Sequence, residues 1–189
     1  MTKNLKIAVI FLLVLIGIYY LSNNYQSKFH STSNQIFIKD TKDIFKLLIK
    51  NESKSIELIR NDTIWNISGN DTLVVKTRSM ENLFDNILKL NHGTIISENP
   101  EKYETYSVDD STGIHLIITD ANDEIIEYYI FGRSKSDYSH CYVRIGSDPT
   151  VYLADQNIIY MLSTRDSYWG EKQKEKILPP IPADSTIIN

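Results

Sequence analysis

The sequence predicts an α+β fold in which antiparallel β-meanders carry two amphipathic helices, preceded by one N-terminal transmembrane helix. Short segments of alternating apolar and polar residues, separated by turn residues, recur from residue 36 onward and are typical of strands joined by hairpins. Strands followed by a helix occur twice without the βαβ alternation of parallel sheets. This repetition leaves open whether the strands form one sheet or two related β-rich lobes.

The composition limits the class of protein. A chain of 189 residues, 42% of them hydrophobic, is long enough for one domain with a real core. The net charge of −4, with no basic cluster beyond two N-terminal lysines, argues against nucleic acid as a partner. A single cysteine cannot form an intramolecular disulfide or a paired-cysteine zinc site, and we expect no metal and no cofactor.

The N-terminus has the pattern of a membrane anchor. Residues 1–6 contain two lysines and are expected in the cytoplasm. Residues 7–24, which begin with an unbroken apolar run from Ile7 to Leu21, are predicted to cross the membrane once. No small-residue cleavage site follows it, and Tyr19 and Tyr20 suit the membrane interface, so an uncleaved signal anchor is favoured over a cleaved signal peptide. The rest of the chain is then expected outside the cytoplasmic membrane, in the periplasm.

Three further regions follow this anchor. Residues 25–34 are polar and are predicted to form a linker. Residues 35–170 are predicted to form the extracytoplasmic α+β domain. Residues 171–189 lose periodicity and contain several prolines, so they are predicted to form a flexible tail.

The elements of the domain can be placed in order. Strands are predicted at 36–38, 43–49, 54–60, 63–68, 94–97, 113–119, 124–131, 138–145 and 150–153. Trp65 is expected to pack inward, with a surface-binding edge as the alternative. An amphipathic helix is predicted over 77–90, with Thr77 or Ser79 as its N-cap. Asp155 is expected to cap a second, short helix.

The only cysteine lies beside a histidine on the predicted strand 138–145. Successive side chains of a strand face opposite sides, so Cys141 is expected to point away from His140 and to be buried as a small hydrophobic residue. An envelope cysteine hydrolase is an alternative function, and it would need His115 as the base for Cys141. The sequence contains no paired catalytic acids, phosphate-binding loop or serine elbow, which favours a protein that is not an enzyme.

The other face of that strand is the predicted binding surface. Aromatic and cationic side chains of this kind suit sugars, peptides or a partner protein, although a mixed solvent-exposed face would have the same pattern. A secreted protein that binds a small ligand or a sugar is therefore a further alternative. The predicted surface consists of Tyr138, His140, Tyr142 and Arg144, joined across strands by Tyr129 and Tyr152.

Four motifs carry a resemblance to a known family. They are Trp65, Tyr103–Asp110 (YETYSVDD), Phe131–Arg144 (FGRSKSDYSHCYVR) and Val151–Leu153 (VYL). On these motifs the sequence resembles the bacterial domain of unknown function 4340 over residues 40–169, although Ser107-Val108 replaces the Gly-Leu of many relatives.

The resemblance implies an envelope domain, found in some relatives with gliding-type ABC transport systems, for which no catalytic residues are established. We therefore expect a membrane-anchored, extracytoplasmic binding or assembly domain that is an accessory to an envelope transport complex.

Overall fold

The structure is a computed structural model that describes residues 35–37 and 39–172 of the chain. Ten strands occur in this part, and all of their pairs are antiparallel. They are β1 (Lys46–Lys50), β2 (Ser55–Asn61), β3 (Ile64–Ile67), β4 (Leu73–Val75), β5 (His92–Ser97), β6 (Ile114–Thr119), β7 (Ile125–Arg133), β8 (Cys141–Ile145), β9 (Val151–Ala154) and β10 (Gly170–Lys172).

Eight of the strands form one sheet in the order β3, β2, β1, β6, β7, β8, β9, β5, while β10 pairs with β4 in a small second sheet. The predicted α+β fold with antiparallel sheet is confirmed. The alternative of two related lobes is wrong, because β1 pairs with β6 and so joins the first meander, β1–β3, to the second, β6–β9.

The described residues contain three α-helices, two of them of four residues each. Helix α1 spans Thr77–Ile87, α2 spans Tyr103–Tyr106 and α3 spans Asp166–Trp169. Single turns of 3₁₀ helix occur at Thr41–Asp43, Pro100–Lys102 and Ile159–Met161.

The larger core lies between α1 and one face of the eight-stranded sheet. Leu47 and Ile49 alternate with less buried neighbours along β1, as expected for a strand with one face in the core. Helix α1 contributes Met80, Leu83 and Ile87, which follow the three-and-four spacing of one helix face. The predicted amphipathic helix is confirmed in this position.

A smaller core lies on the other face of the sheet, under the segment 99–112 that contains α2. Val108 of this segment packs with Ile130 of β7 and Val151 of β9. The close approach depends on Gly132, since a Cβ atom there would lie 2.0 Å from the carbonyl oxygen of Tyr106. The segment therefore covers one face of β7 and β8.

Several predicted details differ from the structure. Helix α1 begins after Lys76 without a side-chain cap, so neither Thr77 nor Ser79 is its N-cap. Asp155 caps no helix, because its carboxylate accepts hydrogen bonds from the backbone and side chain of Asn91 (3.0 and 2.9 Å). The second amphipathic helix is only the 3₁₀ turn at Ile159–Met161.

The limits of the domain are only partly described. Strand β10 continues to Lys172, two residues beyond the predicted end of the domain. The predicted anchor at 7–24, the linker at 25–34 and tail residues 173–189 lie outside the described residues. Among the residues that are described, no helix has the length and apolar character needed to cross a membrane.

Candidate functional site

The structure does not bring the six residues of the predicted binding surface to one face. Strand β8 begins at Cys141, so Tyr138 and His140 lie in the loop before it rather than on the strand. In this loop, Asp137 accepts a hydrogen bond from the backbone of Ser139 (2.8 Å) and lies 2.5 Å from Nδ1 of His140. The Ser139 backbone N–H is the main cause of the lowered pKa of Asp137, and His140 adds to it.

Tyr129 and Tyr152 also lie away from the predicted surface, since both face the larger core. The hydroxyl group of the fully buried Tyr129 donates to the carbonyl of Ile36 (3.1 Å), and burial raises the pKa of this tyrosine. The Tyr152 hydroxyl donates to Asp148 (2.9 Å). The prediction that these two tyrosines extend the face of Tyr142 and Arg144 is therefore wrong.

Tyr142 and Arg144 do share a face, but the segment 99–112 covers them. The Tyr106 ring meets the Tyr142 ring edge-on, with 5.0 Å between their centroids. The Arg144 guanidinium lies 4.5 Å above the centroid of Tyr103 and donates through Nη2 to Asp110 (2.9 Å). The aromatic and cationic side chains of Tyr142 and Arg144 therefore contact the segment 99–112 of the same chain and stabilise its position on the sheet.

The residues of the alternative hydrolase are far from forming a catalytic pair. His115 of β6 is buried on the smaller-core side, with Nδ1 2.7 Å from the Tyr128 hydroxyl and Nε2 3.1 Å from the Asp110 carbonyl oxygen. Cys141 faces the larger core, and its thiol donates to the carbonyl of Gln156 (3.4 Å). Burial raises the pKa of this thiol to about 11, the opposite of the change that activates a nucleophile.

An open, mainly apolar groove lies elsewhere, between β3, β4 and residues 77–84 of α1. Its cavity volume is about 400 Å³. The Trp65 and Phe84 rings lie 5.9 Å apart at one side of it. The residues that form its apolar surface are Ile64, Trp65, Val74, Val75, Met80 and Phe84.

The groove borders the outer edge of the large sheet, because β3 is its first strand and, within residues 35–37 and 39–172, pairs only with β2. The N–H of Ser68, just after β3, donates to the carbonyl of Glu57 on β2 (2.8 Å). The N–H of Arg60 on β2 instead donates to the carbonyl of Phe45, on the β1 side of that strand (2.8 Å). Hydrogen-bonded pairs alternate along an antiparallel ladder, so the backbone N–H and C=O of Trp65, opposite Arg60, point away from β2. We call this feature, the outer edge of β3 with the adjoining cavity, the edge groove.

Sequence reasoning found one residue of the edge groove and assigned it mainly to the core. Trp65 is only partly buried, so its indole contributes both to the core and to the groove. The signal in the sequence is the apolar pair Ile64-Trp65 on the predicted strand 63–68, because only one of two neighbouring side chains on a strand can face the core.

Comparison with known proteins identifies a family for this chain. A family model described as "Domain of unknown function (DUF4340)" matches residues 65–179. The matched range begins at Trp65 and contains α1, the covering segment 99–112 and strands β5 to β10. Neither the curated proteins nor the solved structures contain a match to the chain.

Proposed function

Because the chain belongs to the DUF4340 family of domains of unknown function, we propose its function from geometry: it is a non-enzymatic domain that binds an extended, apolar segment of a partner protein. The edge groove is the observation that carries this proposal. Residues 7–24 anchor the domain to the cytoplasmic membrane, and the domain acts outside it. The partner is a subunit of an envelope transport complex of the ABC type.

The free edge of β3 supplies the backbone part of such recognition. An extended peptide adds to a sheet edge through main-chain hydrogen bonds, and neighbouring pockets receive alternate side chains of the peptide. Sheet edges that must stay unpaired usually carry charged residues or proline. Strand β3 (Ile-Trp-Asn-Ile) has neither, and the side chain of Ile64 is 59% exposed.

The adjoining cavity supplies the side-chain part. Met80 and Phe84 lie one helical turn apart on α1 and face the same cavity as Val74 of β4. A partner side chain placed here would bury apolar surface at about 25 cal/mol per Å², which is the main source of affinity in such grooves. The lining favours a Leu, Ile or Phe of the partner.

Site-specific crosslinking in intact source cells tests this proposal. A photoreactive phenylalanine analogue replaces Ile64 in the full-length protein, and crosslinked peptides are identified by mass spectrometry. We expect crosslinks to an apolar segment of a membrane transport subunit. The same analogue at Ile125, which is 65% exposed at the start of β7, is the matched control and should not capture that segment.

A blocking variant links the crosslink to the cavity. Thr77 is exposed at the start of α1 and lines the groove, so Thr77→Trp fills the cavity without disturbing the core. It should abolish the crosslink, whereas Asn82→Trp, also exposed on α1, should not. Crosslinks confined to residues 173–189 of the same chain, or equal capture from positions 64 and 125, would overturn the proposal.

A further inference from the structure

A second cleft, lined by none of the residues of the edge groove, lies between the β1–β2 turn and the segment 159–167, which ends in the first turn of α3. The end of β7 closes one side of it with Arg133. It contains a cavity of about 510 Å³, and an open cavity of about 600 Å³ adjoins this at Lys54 and Arg165. We propose that this cationic cleft binds the phosphate group of an anionic ligand.

The charges of the cleft support an anion. Lys54, Arg133 and Arg165 are exposed, and none of them takes part in an ion pair among the described residues. The carboxylate that lines the cleft, that of Asp166, accepts a hydrogen bond from the side chain of Asn70 (2.7 Å). Three cations around one cavity of a chain with net charge −4 create a local positive potential that attracts an anion.

The walls of the cleft are fixed by hydrogen bonds before any ligand arrives. The side-chain oxygen of Asn51 accepts from the backbone N–H of Ser53 and of Lys54 (3.1 and 2.9 Å), and its amide donates to Thr164 Oγ1 (3.2 Å). The turn and the facing segment are thereby connected. A fully buried indole, that of Trp169, donates to the carbonyl of Ser163 (2.6 Å) and holds the segment from the other side. Such preorganisation reduces the entropy lost on binding.

The donors of the cleft fit phosphate in particular. Guanidinium groups bind phosphate through two parallel N–H donors, and Arg133 and Arg165 supply two of these groups. Hydroxyl groups at Ser163 and Thr164 add neutral donors around the same cavity. A tetrahedral phosphate offers more acceptor oxygens than a carboxylate, so it can use charged and neutral donors together. A phospholipid headgroup and a soluble phosphate ester share this chemistry.

Calorimetric titration of the full-length protein in neutral detergent tests the proposal. One arm uses sodium pyrophosphate at constant ionic strength, and the other uses phosphatidylglycerol in mixed micelles of the same detergent. We expect binding in at least one arm, with Arg133→Gln and Arg165→Gln each weakening it by about 10-fold. Binding in the micelle arm alone identifies a lipid headgroup, and binding in the pyrophosphate arm identifies a soluble phosphate compound.

A matched charge deletion distinguishes a defined site from general attraction. Arg78 is exposed on α1 and does not line the cleft, so Arg78→Gln removes the same charge elsewhere. It should leave the affinity within about 2-fold of wild type. Equal weakening by Arg78→Gln, succinate binding as tightly as pyrophosphate, or no binding in either arm would overturn the proposal. Thermal unfolding of each variant confirms that it is folded.

Discussion

Cys141 and His115 lie two strands apart on opposite faces of the eight-stranded sheet. His115 is paired with Ile130 in the register of β6 and β7, and Ile130 belongs to the smaller core. Cys141 on β8 belongs to the larger core, on the other side of the sheet. A thiol and an imidazole that are separated by a sheet cannot exchange a proton directly, so the structure contradicts the alternative hydrolase based on this pair.

This placement predicts that the native thiol is unreactive. At pH 8, a thiol with a pKa near 11 has about 100-fold less thiolate than one at the ordinary value of 9.0. Iodoacetamide should therefore label native Cys141 at least about 100-fold more slowly than the urea-unfolded chain, as measured by mass spectrometry. Cys141→Ser provides the background. Native labelling as fast as that of the unfolded chain would contradict the buried position and restore a nucleophilic role.

The close packing of segment 99–112 on Gly132 predicts that a larger residue at this position destabilises the domain. A Cβ atom at this position would be 2.0 Å from the Tyr106 carbonyl oxygen and 2.8 Å from that of Ser107, both of them backbone atoms. Gly132→Ala should therefore lower the free energy of unfolding in urea by more than about 2 kcal/mol. Amide hydrogen exchange in the segment should also become faster.

A matched glycine controls for the effect of conformation alone. Gly146 has φ +53° and no atom within 4 Å of its ideal Cβ, so Gly146→Ala introduces strain without a clash. It should lower the free energy of unfolding by about 1 kcal/mol. Equal losses for the two variants would show that segment 99–112 does not press on β7.

Arg144 and Asp110 form an ion pair, but we expect their substitutions to change the free energy of unfolding by different amounts. The Arg144 side chain is 15% exposed and lies over Tyr103, whereas the Asp110 side chain is 84% exposed. Arg144→Ala should lower the free energy of unfolding by about 1–2 kcal/mol through lost packing on the ring. Asp110→Asn should change it by about 0.5 kcal/mol or less, because an exposed ion pair contributes little. Urea unfolding at pH 7 measures both, and equal losses would assign the stability to the ion pair instead.

The sequence predicted the strands best where turn residues enclose them. Asp62 and Asp123 take positive φ values of 58° and 64° at the ends of two hairpins, which short polar residues tolerate. Ser107 also takes a positive φ, of 54°, at the end of α2. This left-handed conformation accounts physically for the glycine that the resemblance places there in many relatives.

The elements that the sequence analysis missed depend on distant parts of the chain. Strands β4 and β10 have three residues each, and their pairing places Gly170 so close to Leu73 that a Cβ atom would lie 2.7 Å from the leucine Cβ. Periodicity cannot reveal elements of three residues that depend on such packing. The same holds for the cationic cleft, since Lys54, Arg133 and Arg165 come together only when the sheet forms.

The prediction of the binding surface was wrong because a loop replaces the first residues of the predicted strand 138–145. The alternation argument required a strand from Tyr138, but the side chain of Asp137 bonds to Ser139 and His140 and stabilises a loop instead. Aspartate commonly competes with strand formation in this way through bonds to nearby backbone. The strand consequently starts three residues late, and of the four surface residues predicted on it only Tyr142 and Arg144 lie on β8.

Acid should destabilise the domain through Asp109. Burial alone would raise the pKa of this carboxyl, but hydrogen bonds from Ser111 and Thr112 outweigh it and hold the pKa well below the ordinary value of 3.8. The unfolded chain therefore binds a proton more readily than the folded one, so this stabilisation is complete above about pH 4 and is lost as the pH falls through the lower folded pKa. Asp109→Asn should flatten the decline of unfolding free energy between about pH 4 and pH 2, measured by urea unfolding at each pH. A decline unchanged by Asp109→Asn would assign the acid sensitivity to other carboxyl groups with lowered pKa values, such as Asp148.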